Sequence, residues 1–306
     1  MQTIINNAIT MTQKFQFPEA SRDVFADALN RIANNPVASA WLTRLVAQYE
    51  TSEGKCHYRR MLADISAMGE VLGIHPHTAE MLLFLCLGEP LRTRYEARGI
   101  DEKIYLDSMM DLRYKLEECR LVEGTVGSFV ASWFGGFFDM TRFALGRLQF
   151  EIVHTGKDFT VGGELVPAGS PAINMHIPRT GTRLSHEDVM DSYRAAAAWF
   201  ADVFPDGNVL FTCSSWLLDP WHLTVLKPES NLAAFIGDFE IVETKQYADY
   251  GELWRLFDCR YNGNVDDLPQ DSSLRRAYAD RVRRGEPTGS GRGFFRMRDE
   301  EIVSRA

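Results

Sequence analysis

The residues best suited to hold an anion stand together at Arg179-Thr180-Gly181-Thr182-Arg183-Leu184-Ser185. Before them, Pro171 to Pro178 (PAINMHIP) alternates like a strand. After them, Ser185 with Asp188 three residues on reads as the N-cap of a helix. A strand that passes through a glycine-bearing turn into a helix leaves backbone N–H groups free at the helix start. Such a terminus attracts anions, phosphates above all. Arg179 and Arg183 bracket the turn and would neutralise a diphosphate. The same residues also describe an ordinary surface turn with a good cap. Just before the loop, His176 shares a strand face with Ala172 and Asn174. A neutral histidine there would accept a proton from an amine or hydroxyl. A hydrogen-bonded structural histidine fits the position as well.

A second cluster is Cys213-Ser214-Ser215-Trp216, with Asp219 and His222 close behind. It allows a Cys213 or Ser214 nucleophile with His222 or His176 as base. No glycine flanks the serine in the G-x-S-x-G manner, and a thiol at a strand end is more often core. The pairs Cys56-His57 and His75-Pro-His77 are isolated and lack the paired spacing of structural zinc, so no metal is expected. His75 and His77 read better as a polar pair at a helix start. Carboxylate pairs such as Glu117-Glu118 and Asp266-Asp267 read as solvated faces. There is no Walker loop, dinucleotide fingerprint or HExxH.

The elements that must position these groups fall into two textures. The first half repeats apolar residues at three and four, as in Met61, Ile65, Met68 and Leu72. About five helices are expected, over 22–33, 37–50, 56–72, 77–99 and 100–121, with no sheet in the first hundred residues. Between Arg142 and Gln149 the period changes to alternation, and residues 146–154 read as a strand. A hairpin follows around Gly162-Gly163. Then come strand 171–178, the capped helix (Val189, Tyr193, Ala196, Phe200 and Phe204 on one face) and strand 209–213. Helical turns are expected at 220–226 and 229–239, a short strand at 240–244 and a helix at 272–284. Gly289-Ser-Gly-Arg-Gly293 reads as a hinge-like loop before a final strand at 294–297. This order gives an α+β chain: a helical N-terminal domain over 1–142, then a mixed-sheet domain flanked by helices over 143–306.

The 306 residues carry a formal charge of −9, which disfavours nucleic acid and anionic membranes as partners. The tail from Ser272 runs against that balance, with nine arginines and five acids. No apolar run reaches the roughly 18 residues of a membrane span. The five cysteines, an odd number without CxxC spacing, point to a reducing cytoplasm.

Segments RLQFEIVH (147–154), INMHIPRTGTRLSHEDVMDSYRAAAAWFADVFP (173–205), LFTCSSWLLDP (210–220) and LKPESNLAAFIGDF (226–239) resemble a bacterial acyltransferase family. That family has a helical N-terminal domain followed by a GNAT-like domain. The resemblance implies a sheet whose fourth and fifth strands, Ile173–Pro178 and Val209–Ser214, splay apart around the pantetheine of an acyl-CoA. It places the pyrophosphate on Ile177 and on the loop Arg179, Thr180, Gly181, Thr182, Arg183 and Leu184, up to Ser185. Thr182 and Leu184 stand where the usual Q/R-x-x-G-x-G/A motif has glycines. Segment 220–239 has no tyrosine to serve as acid for the leaving thiolate. The implied activity is acyl transfer from an acyl-CoA, such as acetyl-CoA, to an amine or other small nucleophile of a small-molecule acceptor, with His176 as first candidate base. A non-catalytic module of the same fold that has lost the CoA loop is one alternative. A Cys213 or Ser214 hydrolase is another.

Overall fold

The computed structural model describes residues 1–52 and 56–303; residues 304–306, the end of the basic tail, lie outside them. The chain divides into two compact units, Met1–Phe143 and Ala144–Ala306.

Among the described residues the first unit holds helices α1 (Gln2–Lys14), α2 (Glu19–Ala33), α3 (Pro36–Thr51), α4 (Tyr58–Val71), α5 (Pro76–Ala97), α6 (Glu102–Glu123) and the single turn α7 (Gly135–Phe138). α5 is the axis. Every residue from Met81 to Leu87 is buried, and α1, α2, α3, α4 and α6 all pack against it. A helix apolar all round can only be the centre of a bundle. His75 caps α5, its Nδ1 accepting from the His77 N–H at 3.2 Å, so this pair serves the helix start. α1 is the helix the sequence pattern does not announce. Its buried residues, Ile5, Ala8, Met11 and Thr12, keep the three-and-four spacing. They are few, however, and no side chain caps the start.

The second unit is built on β1 (Arg142–Leu145), β2 (Leu148–His154), β3 (Phe159–Val161), β4 (Glu164–Val166), β5 (Pro171–His176), β6 (Val209–Ser215), β7 (Glu240–Tyr247), β8 (Thr288–Arg298) and β9 (Glu301–Ile302). Helices α8 (His186–Trp199), α9 (Asn231–Gly237), α10 (Trp254–Phe257) and α11 (Ser273–Arg283) punctuate them. The main sheet runs β1-β2-β5-β6-β8-β7, with β9 beside β8, while β3 and β4 form a separate hairpin. Only β5 and β6 are described as a parallel pair; β2–β5, β6–β8 and β7–β8 are antiparallel. One face is aromatic: Tyr193 of α8 lies against Phe211 and Phe295, which stack at 4.8 Å. The opposite face carries the polar members of each alternating strand. No helix among the described residues is long and apolar enough to cross a membrane.

The stretch 289–293 corrects the expected hinge. It lies in the first half of the eleven-residue strand β8. Its three glycines alternate with Ser290 and Arg292, so they share a face. A Cβ at Gly289 would meet the Asp219 carboxylate, at Gly291 the Leu218 carbonyl oxygen and at Gly293 the Phe239 side chain. The glycines are there because 216–224 and Phe239 lie directly on the strand. The expected helix over 220–226 is a short 3-10 turn, Pro220–Thr224.

That covering segment is pinned from α11. Arg281 donates to Asp219 at 2.7 Å and the ring of His222 meets the Tyr278 hydroxyl at 2.9 Å. Burial pushes His222 below its ordinary value of 6.5, against the pull of Asp219. Between the folded value and 6.5, only the unfolded chain takes up the proton. Stability is therefore full above 6.5 and declines as pH falls toward the folded value. The loss is at most about 1.4 kcal/mol per pH unit, roughly 3–6 °C in Tm. His222→Gln should flatten this slope between pH 7.5 and 5.5 in thermal melts. An unchanged slope would show that His222 is not the titrating group.

Candidate active site

The registered parallel pairs between β5 and β6 are Ile173↔Phe211 and Asn174↔Thr212. Beyond them both strands continue, to His176 and Ser215, without further pairing. The sheet opens there into a gap walled by 175–178 on one side and 213–216 on the other. Side-chain alternation puts Asn174 and His176, with Thr212 and Ser214, on the polar face of this gap.

His176 is not alone. Its Nε2 lies 2.7 Å from Glu151 Oε1, and the amide nitrogen of Asn174 lies 3.1 Å from the same Nε2 and 3.4 Å from Glu151 Oε1. The sheet register explains the meeting, since Glu151 is directly opposite Asn174 and Gln149 opposite His176. Both members of the pair are about four-fifths buried, with side-chain exposures of 23% and 19%. A carboxylate at this distance fixes the ring and favours the tautomer in which Nε2–H donates to it and Nδ1 carries the lone pair. It also stabilises the imidazolium formed when the ring accepts a proton. This is the arrangement that a general base with an orienting carboxylate requires.

The loop after β5 is braced from two sides. Arg147 donates to the carbonyls of Pro178 at 3.0 Å and Thr182 at 3.5 Å. The Thr180 and Thr182 hydroxyls meet at 2.7 Å, and Gly181 takes φ +80° between them. Ser185 caps α8 at the Asp188 N–H. The two arginines part company. Arg179 forms a two-pronged pair with Asp258, which Arg275 also holds. Arg183 is exposed and has no ion pair among the described residues. Glu187 and Asp188 occupy the first turn of α8, so the helix start is less cationic than the two arginines alone suggest. Glu151, Arg147 and Asp258 were invisible to a reading of local motifs.

The nucleophile candidates fare differently. Cys213 is fully buried, and burial pushes its thiol up to about 12, which removes the thiolate that a nucleophile needs. Such a thiol does not suit the nucleophile role expected of Cys213. Ser214 is exposed, but no histidine is hydrogen-bonded to it among the described residues. His222, its nearest base in sequence, is buried and committed to Tyr278 and the Asp219 carbonyl. No group of three or more potential metal-ligating side chains occurs among the described residues.

Next to Asn174 the polar face sinks into a cleft of about 250 Å³ whose lining includes Asn174, Thr212, Ser214, Glu243, Lys245 and Arg292. The hydrogen bond from Lys157, with Arg292 nearby, holds the Glu243 carboxyl below the usual carboxylate range.

Comparison with known proteins agrees with this layout. A family described as the GNAT-like C-terminal domain matches residues 143–295, and one described as the N-acyltransferase N-terminal domain matches residues 6–140. The crystal structure of an acyltransferase with decanoyl-CoA and teicoplanin is similar at TM-score 0.74 and 23% identity, over 94% of this chain and 87% of that one. An acyltransferase mutant with octanoyl-CoA gives 0.73 and 22%, over 94% and 87%. A further acyltransferase structure, with decanoyl-CoA, gives 0.65 and 19%, over 94% and 98%. At such identities the likeness is one of fold. No curated protein matches the chain.

Proposed function

Because the chain belongs to the N-acyltransferase family built from that helical N-terminal domain and a GNAT-like C-terminal domain, we propose that it moves an acyl group from acyl-CoA to an amine, using the gap between β5 and β6. The observation that carries this is the pairing of β5 with β6, which ends after two residues beside the Glu151–His176 pair. The pantetheine arm lies in the gap with its thioester at His176. Ile177, Thr180, Gly181, Thr182, Arg183, Leu184 and Ser185 meet the diphosphate. His176 takes a proton from the acceptor amine, and the nitrogen attacks the thioester carbonyl. The C–N bond forms, the C–S bond breaks, and the CoA thiolate collects a proton from solvent. Most of the acceleration comes from holding donor and acceptor together.

The solved relatives hold decanoyl-CoA and octanoyl-CoA, so the donor tested first is octanoyl-CoA, with acetyl-CoA as the short-chain comparison. A donor present at about 100 times its Kd should add about 2.7 kcal/mol of stability in thermal melts. Free thiol released on adding an amine then reports transfer. The pairing of Arg179 with Asp258 favours a second reading, a non-catalytic module whose donor loop is closed on itself. That module would show no stabilisation by any CoA.

Arg183 separates the loop's role further. A charge-assisted contact to phosphate is worth roughly 1.5–3 kcal/mol. Arg183→Ala should therefore weaken octanoyl-CoA binding about tenfold or more. Equal affinities by calorimetry would remove the phosphate from this loop.

A further inference from the structure

The cleft beside Asn174 has chemistry that the donor does not require. Around the single carboxylate of Glu243 stand three cations. Lys157 lies 2.5 Å from Glu243 Oε1, Arg292 lies 3.7 Å from Glu243 Oε2, and Lys245 has no ion pair among the described residues. Lys157 stands outside the cleft and already pairs with Glu243, so the lining itself sets Lys245 and Arg292 against that one carboxylate; in a chain of net charge −9 this local surplus of one positive charge favours an anionic group.

The cations are also aimed. A bulge in β7 between Ile241 and Glu243 sets Glu243 opposite Arg292 and Lys245 opposite Ser290. Bulges re-aim side chains in this way. The Arg292 guanidinium lies 4.9 Å from the Phe159 ring and 5.1 Å from the Phe294 ring, and those rings pack 4.8 Å apart. The hairpin β3–β4 thus stacks the arginine head and pre-orders it toward the cleft. A planar guanidinium held this way suits a carboxylate. Asn174 joins the two ends: it lines the cleft and is bonded to the Glu151–His176 pair.

We propose that this cleft is the acceptor site and that it takes an amine bearing a carboxylate, an amino acid or short peptide, with the carboxylate on Arg292 and Lys245 and the amine directed past Asn174 to His176. The proposal rests on the acyl-transfer reading above. The acceptor nitrogen bonds to the thioester carbonyl carbon, the C–S bond breaks, the amine proton passes to His176 and CoA leaves as its thiolate. The product is an N-acyl amino acid or peptide that keeps its carboxylate.

The test is thiol release from octanoyl-CoA with matched acceptors: phenylalanine against phenethylamine, glutamine against 4-aminobutanamide, lysine against cadaverine, and glycylglycine alone. At least one carboxylate-bearing acceptor should be used, with KM at least about tenfold below that of its decarboxylated partner. Arg292→Gln should raise that KM tenfold or more, keep kcat within about threefold and leave the decarboxylated amine unaffected; Lys245→Gln should do the same to a smaller degree. A merely structural arginine would move both members of a pair alike. Equal use of both members, equal loss for both in the variant, or no carboxylate-bearing acceptor used overturns the proposal. Calorimetry with octanoyl-CoA separates the donor. Equal affinity in wild type and Arg292→Gln is expected, and a loss in the variant would reassign the cations to CoA and overturn the acceptor site. No binding of octanoyl-CoA to wild type would instead refute the donor reading. The cleft would then be judged by titrating the same amino acids alone: binding lost in Arg292→Gln supports it, and no binding overturns it.

Discussion

His176→Gln is expected to fold like the parent and to lose roughly 10²–10⁴ in kcat, the usual range for removing a general base. The glutamine can still hydrogen-bond to Glu151, which lies 2.7 Å from the histidine ring, so no buried carboxylate is stranded. What disappears is a group that can carry a proton near neutral pH. Glu151→Gln tests the same pair from the other side. It keeps the shape and removes the charge, so the histidine becomes a weaker base and titrates lower. The acidic limb of the rate profile should move to lower pH as kcat falls. A His176→Gln protein that melts early yet retains full turnover per folded molecule would make the pair structural.

The second large effect is on stability. Gly291→Ala is expected to destabilise the protein by at least about 1–3 kcal/mol, roughly 2–4 °C of Tm for each kcal/mol. The added methyl would run into the Leu218 carbonyl oxygen. That is backbone, held by the 3-10 turn Trp216–Leu218, so no rotamer change relieves it. Gly237→Ala is the control. It lies in α9 with nothing within 4 Å of the new Cβ, and alanine is the better helix former. If both variants melt together, the covering segment is free to move and the close approach is not essential.

The helical half was readable because each helix repeats its own apolar spacing, with α5 so apolar that no other role remains for it. α1 escaped since its start carries no cap and its buried side chains are few. The strand pattern and the capped start of α8 were legible for the same local reason. The β8 glycines misled. Glycine in alternation usually marks a loop, and what makes these three strand residues, Asp219, Leu218 and Phe239, lies far earlier in the chain. The site was legible only in its first member. His176 could be picked from its strand face. Glu151 sits 25 residues away, Arg147 is 31 from the Pro178 carbonyl it holds, and Asp258 is 79 from Arg179. Those distances are bridged by sheet register and tertiary contact, which no local spacing encodes.

The burial of Cys213, at the start of the wall that 213–216 give the gap, also bears on the order of events. With that thiol sealed in the core and no histidine hydrogen-bonded to Ser214 among the described residues, neither candidate nucleophile of this strand is set up to carry an acyl group. On the proposed function, transfer is then expected to be direct, from thioester to amine in one ternary complex, and initial-rate plots against both substrates should intersect rather than run parallel as in a ping-pong reaction.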